Sequence, residues 1–383
     1  MTRFSTYLTK FVNTKNRSAM KKNIFTYPLL LILIIFFAAN NLFSQSETDY
    51  VNQIEELNQK FNDLQHRFDR LEKLNEDLLW YQVVGDVAII DKVYITGPPN
   101  PHIKNPTAMG VNNPIKFWNY IFIPKNIDPS KKYPLLVFPH GGVHGDFTTY
   151  YQHIIREMMA QGYIVIAPEY RGSTGYGKSY YERIDYGGLE HEDVYASRNW
   201  MIENYEFVDK NRVGIIGWSH GGMIALMNIF DHPKDYQVAF AGVPVSDLIS
   251  RMGYQTQSYR DLYSADHHIG KTAYEDVEEY KKRSPAWNAH NFQNTPLLIH
   301  TNTNDDDVNV LEVEHLIKSL KAENKKFEYE IYQDLEGGHS FDRIDTQTAQ
   351  KIRVKIYKFL AQYLNPQKPI NTVKELKKAA YKF

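Results

Sequence analysis

The sequence predicts an α/β fold in which a mostly parallel sheet carries helices on both faces. Short, continuous apolar runs such as residues 135–138 and 164–167 are typical of strands that are buried on both faces of a parallel sheet. Segments with helical periodicity follow them, for example residues 148–161 and 194–203. A chain that alternates strand and helix in this way builds a parallel sheet through crossover helices.

The same alternation continues along the chain and places one domain at residues 116–365. Further strands are predicted at 120–123, 213–216, 238–245, 296–299 and 327–332, and further helices from 220 onward, at 310–320 and at 348–364. A basic tail is expected at 366–383.

Composition excludes several classes of protein. The chain has 383 residues, of which 43% are hydrophobic, so it can bury a large core. Its 44 basic and 45 acidic residues give a net charge of −1, which does not favour nucleic acid as a partner. It contains no cysteine, and this rules out disulfides, a thiolate nucleophile and a cysteine-based zinc site.

Residues 1–44 look like a targeting segment. Residues 24–43 are uncharged and mostly apolar, and Lys21 and Lys22 precede them. Read from Met20 as the true start, this is a signal peptide cleaved after Ser44. The alternative is an uncleaved membrane anchor, because 20 uncharged residues nearly suffice to span a bilayer. Either interpretation predicts an exported, periplasmic or secreted, catalytic domain.

Residues 45–82 are predicted to form a helix of coiled-coil character. Apolar side chains recur at alternating spacings of three and four, at positions 50, 54, 57, 61, 64, 68, 71 and 78, and Asn75 takes the one polar place in the pattern. The pattern predicts a homo-oligomer through residues 47–80; the alternative is an amphipathic helix that packs back on its own domain. Residues 83–115, with five prolines between 97 and 114, are predicted to be an extended connection.

The letters GWSHGG at residues 217–222 stand between a predicted strand and a predicted helix. This is the G-x-S-x-G pattern of a nucleophile elbow, a tight turn that presents a serine hydroxyl at a helix N-terminus. Only glycine fits beside the serine in such a turn. The motif therefore predicts Ser219 as the nucleophile of an α/β-hydrolase fold.

An acid and a histidine should follow the nucleophile in chain order on this fold. Asp305, Asp306 and Asp307 come directly after one predicted strand, and His339 comes after the next. Because a hydroxyl is a weak nucleophile near neutral pH, we predict that His339 takes its proton and that one aspartate orients the imidazole. The three adjacent aspartates lack the alternating spacing of a calcium loop, so no metal is predicted.

A second motif predicts the oxyanion hole. His140, Gly141 and Gly142 follow the strand at 135–138, where a loop of this type supplies one backbone N–H in esterases and peptidases. The second donor would be the backbone N–H of His220, the residue after the nucleophile.

From about residue 120 to residue 364 the chain resembles the catalytic domain of the prolyl oligopeptidase family of serine peptidases. The matching blocks are HGG at 140–142, PEYRGSTGYG at 168–177, DKNR at 209–212 leading into the elbow, residues 296–308, and GH at 338–339. The RGSTGYG block is the most diagnostic, because most other α/β-hydrolases lack it.

The resemblance implies peptide-bond hydrolysis through an acyl-enzyme. It also selects Asp305 as the acid, because the family's acid stands three positions before a valine, here Val308. It implies that Val245, Leu248 and Val308 lie near the pocket for the residue before the cleaved bond. His140 matches a position where some members place an oxyanion tyrosine.

The chain also departs from the family pattern. Typical members carry an N-terminal β-propeller, whereas about 70 residues precede the hydrolase pattern here, and His220 stands where tyrosine is common. We therefore predict an exported serine peptidase of oligopeptides, with a carboxylesterase that uses the same triad as the alternative. No cofactor is predicted.

Overall fold

The computed structural model describes residues 26–99 and 114–381, with side chains described from Asp49 onward. Its longest helix, α1, covers Thr26–Val83, and the boundary between two compact units falls after Leu64. The signal or anchor segment predicted at residues 1–44 lies outside the residues whose side chains are described. In the part of the chain that is described, no helix has the length and apolar character needed to cross a bilayer.

Eight strands in the second unit form one mixed sheet. They are β1 Ala88–Pro99, β2 Pro114–Pro124, β3 Tyr133–Val137, β4 Ile164–Pro168, β5 Val208–Trp218, β6 Val238–Gly242, β7 Leu297–Asn302 and β8 Glu328–Tyr332. Their order across the sheet is β1-β2-β4-β3-β5-β6-β7-β8. Strand β2 runs antiparallel to β1 and β4, and every other neighbouring pair is parallel.

Helices follow the strands along the chain. They are α2 Gln152–Gln161, α3 Lys178–Tyr181, α4 Glu190–Asn204, α5 His220–Asp231, α6 Leu248–Tyr254, α7 Gln257–Ser264, α8 Val277–Lys282, α9 Val310–Ala322, α10 Gln347–Leu364 and α11 Val373–Ala380. Short 3₁₀ turns occur at Thr149–Tyr151, Pro285–Trp287, Ala289–Asn291 and Gly338–Ser340.

The central strands are buried on both faces. In β3, Leu135 and Val137 point into one apolar cluster, which also contains the inward residues of α4, α5 and α9. Leu136 points into a second cluster, shared with α2, α10 and α11. Helices therefore cover both faces of the sheet, and the predicted α/β-hydrolase fold is confirmed.

Helix α1 ends at Val83, next to the end of the segment predicted as helical, residues 45–82. Trp80, in its last turn, is fully buried. Its ring packs against Phe122 at 4.9 Å and stacks on Phe147 at 5.5 Å between ring centroids. Burial of this indole joins the end of the helix to the domain.

The segment predicted as an extended connection, residues 83–115, contains a strand of the main sheet. Ala88–Pro99 pairs antiparallel with Pro114–Pro124 and forms one edge of the sheet. Proline is tolerated there because an edge strand has N–H groups that need no partner in the sheet. Residues 100–113 lie outside the described part of the chain.

The predicted basic tail at 366–383 includes a helix that is anchored to the domain. Helix α11 begins with a capping box in which Thr372 and Glu375 exchange side-chain and backbone hydrogen bonds. Leu376 is fully buried on the face that packs against α2. Ala380 of the same helix is also buried, whereas its lysines are exposed.

Candidate active site

The turn between β5 and α5 has the geometry of a nucleophile elbow. Ser219 has φ 59° and ψ −124°, a backbone conformation that L-residues rarely adopt, and it precedes the first turn of α5. A Cβ atom at Gly217 would overlap the carbonyl of Gly221, and one at Gly221 would lie 2.8 Å from the carbonyl oxygen of His140. The two glycines of the motif are therefore required by close backbone contacts.

The strained turn is hydrogen-bonded to the end of β6 and to the residues that follow it. Ser219 N donates to Gly242 O at 2.9 Å, and Val245 N donates to Ser219 O at 3.2 Å. Between these contacts Val243 has φ 40°, which is unusual for a β-branched residue, and it is fully buried. Surrounding packing thus fixes two strained residues side by side, as is common at functional sites.

Asp305 and His339 meet at the ends of neighbouring strands β7 and β8. His339 Nδ1 donates to Asp305 Oδ2 at 2.7 Å. The other carboxylate oxygen accepts the backbone N–H groups of Asp307 at 3.0 Å and Val308 at 2.9 Å. Asp305 is buried, whereas Asp306 and Asp307 are exposed. Of the three predicted candidates, Asp305 has the contacts that an orienting acid needs.

Asp307 approaches the other side of the imidazole. Its Oδ2 lies 3.7 Å from His339 Nε2, and its Oδ1 accepts from Arg251 Nη2 at 2.9 Å. In the described part of the chain, no hydrogen bond joins Ser219 to His339. Catalytic hydrogen bonds are often long before substrate binds and tighten in the complex.

The loop after β3 lies against the nucleophile. A Cβ atom at Gly141 would be 3.4 Å from the Cβ of Ser219, so the Gly141 backbone borders the serine directly. The His140 ring stacks on Tyr170 at 4.2 Å, and its Nε2 lies 2.8 Å from Ser173 Oγ. Burial lowers the pKa of His140 to about 3, so its ring is neutral. The arrangement favours the loop's backbone N–H groups, rather than this imidazole, as oxyanion donors.

His220 also has an engaged side chain. Its Nδ1 lies 2.9 Å from Gly142 O, its Nε2 lies 2.9 Å from Glu190 Oε1, and its ring stacks on Tyr186 at 4.1 Å. The residue stands at the first position of α5, where backbone N–H groups are free of helical partners. Its backbone can therefore donate while its ring joins the loop after β3 to the core.

The three residues predicted near the substrate pocket are all buried. Val245, Leu248 and Val308 each expose 1% of their surface or less. They belong to the same apolar cluster. Their role in substrate selection stays a prediction.

A cluster of metal-ligand types occurs away from these loops. Within the described residues, His191, Glu192 and Asp231 bring one potential ligand atom each within 4.8 Å of the others. Burial alone would lower the pKa of His191, but hydrogen bonds to Asp231 and Glu192 raise it to about 9. His191 Nε2 lies 2.9 Å from Asp231 Oδ2 and 3.3 Å from Glu192 Oε1, so the three residues form an ion-pair network.

Sequence reasoning missed a buried ionic cluster next to the loop after β3. Lys73 of α1 contacts Asp146 and Glu169, which lie 73 and 96 positions after it in the sequence. Glu169 belongs to the diagnostic PEYRGSTGYG block, but nothing in the heptad pattern distinguishes Lys73 from a solvated lysine.

Comparison with known proteins identifies the family. The model of the prolyl oligopeptidase family matches residues 149–367. The uncharacterized peptidase YuxL of Bacillus subtilis is 30% identical over 209 residues, which cover 54% of this chain and 31% of that protein. Human dipeptidyl peptidase 8 is 27% identical over 246 residues, covering 61% of this chain and 26% of that one. The chain thus spans about a quarter to a third of the length of these curated relatives.

Solved structures share the fold. The acylaminoacyl peptidase of Pyrococcus horikoshii superposes with a TM-score of 0.61 at 18% identity, over 78% of this chain and 46% of that one. Dipeptidyl peptidase 4 of Porphyromonas gingivalis superposes with a TM-score of 0.56 at 23% identity, over 73% and 36%. Since the family model covers more than half of the residues, including the elbow, Asp305 and His339, the chain belongs to the prolyl oligopeptidase family.

Proposed function

We propose that this protein is an exported serine peptidase that hydrolyses oligopeptides through an acyl-enzyme, with Ser219 as nucleophile, His339 as base and Asp305 as the orienting acid. The observation that carries the proposal is the 2.7 Å hydrogen bond between the buried Asp305 and His339, on loops that adjoin a strained elbow serine. Membership of the prolyl oligopeptidase family supports a peptide as the substrate.

In this mechanism the Ser219 hydroxyl attacks the carbonyl carbon of the scissile amide and gives its proton to His339 Nε2. Asp305 holds the imidazole by its Nδ1–H and stabilises the cation that forms. The backbone N–H groups of Gly141 and His220 stabilise the oxyanion of the tetrahedral intermediate. The imidazolium then protonates the departing amine. Water next attacks the acyl-enzyme and gives a proton to His339, which passes it to the Ser219 oxygen as the acid product leaves.

A substrate panel tests the proposal. It holds aminoacyl and N-acyl-aminoacyl anilides beside short-chain nitrophenyl esters, and it compares the wild type with Ser219→Ala. We expect amide turnover that falls by about 10⁴-fold or more in the variant, because the covalent step is lost. Ester turnover alone, also lost in the variant, would make the protein an esterase. Turnover that survives the substitution would overturn the proposal.

Export rests on residues 1–44, where the apolar run follows Lys21 and Lys22. Expression of the full chain, fractionation of the cells and N-terminal sequencing of the product test it. A mature chain that starts after Ser44 in the soluble exported fraction indicates a cleaved signal peptide. An intact chain in the membrane fraction indicates an anchor, and an intact chain in the cytosol would refute export.

We further propose that the heptad residues of α1 form a homo-oligomeric coiled coil. In the first unit Tyr50, Ile54, Leu57, Phe61 and Leu64 are 58–66% exposed, and in the second unit Phe68, Leu71 and Leu78 are 57–66% exposed. In the second unit the helix packs on its own domain through a different face, which includes Lys73 and Trp80. The alternative in which the heptad residues pack on the domain is therefore disfavoured.

An apolar stripe of this size is unfavourable in water, and identical stripes from several chains can bury one another. Asn75 at a core position of the pattern favours a parallel dimer in one register.

Light scattering on the double variant Leu57→Glu/Phe61→Glu tests whether the protein is a dimer. Gln59→Glu, on the outer face of the heptad, is the control. We expect the wild type and control to have twice the mass of one chain and the double variant to be a monomer. A monomeric wild type would refute the proposal.

A further inference from the structure

We propose that Lys73 is a positioning residue for the active site: its ammonium group, supplied by α1, holds the loop that carries Gly141 by neutralising Glu169. The inference rests on the function proposed for Ser219 and adds a component that no motif of the family resemblance includes.

Lys73 is buried, with 3% of its side chain exposed. Its Nζ donates to Asp146 Oδ2 at 2.9 Å, to Phe147 O at 3.0 Å and to Glu169 Oε1. Asp146 and Phe147 end the loop that starts at His140. All three donor positions of the ammonium group are thus directed to this loop or to the strand end beside it.

Glu169 is the partner whose charge depends on Lys73. It is fully buried, directly after β4, and its Oε1 also accepts the backbone N–H of Phe147 at 3.2 Å. Burial raises the pKa of Glu169 to about 7, and the positive charge of Lys73 opposes this rise. Burial acts to lower the pKa of Lys73, but attraction by Glu169 and Asp146 raises it instead, so the lysine stays charged.

The contacts continue from Glu169 towards the nucleophile. Glu169 Oε2 lies 3.8 Å from His140 Nε2 and has no hydrogen bond within the described residues. Tyr170, the next residue, donates from its hydroxyl to His140 O at 2.9 Å. Gly141 follows His140 and borders Ser219. A change in the charge or position of Glu169 therefore reaches the proposed oxyanion donor through one intervening residue.

The diagnostic RGSTGYG block makes room for the helix. Gly175 has φ +85°, and a Cβ atom there would lie 2.6 Å from the Cβ of Lys73. Gly177 has φ +90°, and a Cβ atom there would lie 2.6 Å from Arg70 Nη2. Gly175 thus serves a close approach between this block and α1, and the helix is part of the support of the active site.

Removal of the ammonium group would leave two carboxylates around an empty position. Asp146 is 20% exposed and can be solvated, but Glu169 has no access to water. It must then take a proton or move, because an unpaired buried charge is strongly destabilising. A Glu169 side chain that moves out of its site loses its hydrogen bond with the Phe147 N–H, so the loop is no longer held there.

Steady-state kinetics of Lys73→Met test the inference, because methionine keeps the apolar stem and removes the charge. We expect kcat to fall about 10- to 100-fold, as is usual when catalytic groups are misplaced by about 1 Å, while KM changes less than about threefold. The double variant Lys73→Met/Glu169→Gln should recover most of the lost kcat, since the buried charge is then absent. A merely structural role of Lys73 would lower Tm in Lys73→Met and leave the kcat of the folded protein unchanged.

Arg156→Met is the matched control. Arg156 makes a partly buried bidentate ion pair with Asp86 at 2.6 and 2.9 Å, and it does not contact the loop after β3. We expect this variant to have a lower Tm and an unchanged kcat.

If Lys73→Met keeps full kcat, or if the double variant recovers none of the lost kcat, the inference is wrong. If Lys73→Met is insoluble, the double variant decides alone: it must fold and keep more than about a third of wild-type kcat. Survival of turnover in Ser219→Ala would instead refute the proposed function.

Discussion

Replacing Asp305 by asparagine tests which of three adjacent aspartates orients His339. In the structure Oδ1 of Asp305 accepts two backbone N–H groups, from Asp307 and Val308, and Oδ2 accepts from His339 Nδ1. The amide oxygen of asparagine would keep the Oδ1 position, because only an oxygen can accept those two hydrogen bonds. The NH₂ group would then face His339.

A donor at that position selects the tautomer with an unprotonated Nδ1 and a protonated Nε2, which cannot accept the proton of Ser219. Asparagine has almost the same shape as aspartate, so the fold should persist. We expect kcat to fall about 10⁴-fold, which corresponds to about 5 kcal/mol in the activation barrier. The assay is hydrolysis of the best anilide of the panel, with Tm measured on the same samples.

Asp306→Asn is the control, because Asp306 is exposed and adjoins the same loop. It should change kcat by less than about twofold. Asp307→Asn should have a modest effect, since Asp307 pairs with Arg251 and lies 3.7 Å from His339 Nε2. Activity of Asp305→Asn within tenfold of wild type, or an equal loss in either neighbour, would refute the reasoning.

Three further predictions concern stability. Trp80→Ala should lower the free energy of unfolding by about 3–5 kcal/mol in a denaturant titration, since Trp80 is fully buried. Leu78 is 66% exposed, so Leu78→Ala should change this free energy by less than about 0.5 kcal/mol if the protein is kept monomeric. Gly221→Ala should lower it by about 1–3 kcal/mol, because the new Cβ overlaps backbone atoms of the loop after β3; an unchanged Tm would contradict this. The pKa of His191 is raised to about 9 in the folded state, so its ion pairs should stabilise the fold fully below about pH 6.5. The free energy of unfolding should then fall by about 1–2 kcal/mol as the pH rises through 9; this figure is reduced because solvent reaches the carboxylates. Asp231→Asn should reduce that dependence, and an equal loss in the variant and the wild type would contradict it.

Features encoded by neighbouring residues were predictable from the sequence. The buried strands appear as apolar runs, and their alternation with helices predicted the α/β-hydrolase fold. In the GWSHGG turn Gly217 lies against the backbone of Gly221, four positions further on, and this local contact lets the letters indicate the strained conformation found at Ser219. The heptad pattern likewise indicates a helix, because its period is that of the helix itself.

Tertiary structure decided the features that depend on distant residues. The local sequence does not distinguish Asp305 from Asp306 and Asp307. Only the turn after β7 buries Asp305 and leaves the other two exposed. The burial of Trp80 depends on Phe122 and Phe147, which are far along the chain. Lys73 resembles a surface lysine in its local sequence, and it acquires a role only because Gly175 admits it to the carboxylates of Asp146 and Glu169. A local pattern determines backbone conformation, whereas burial and charge pairing depend on which distant segments the fold brings together.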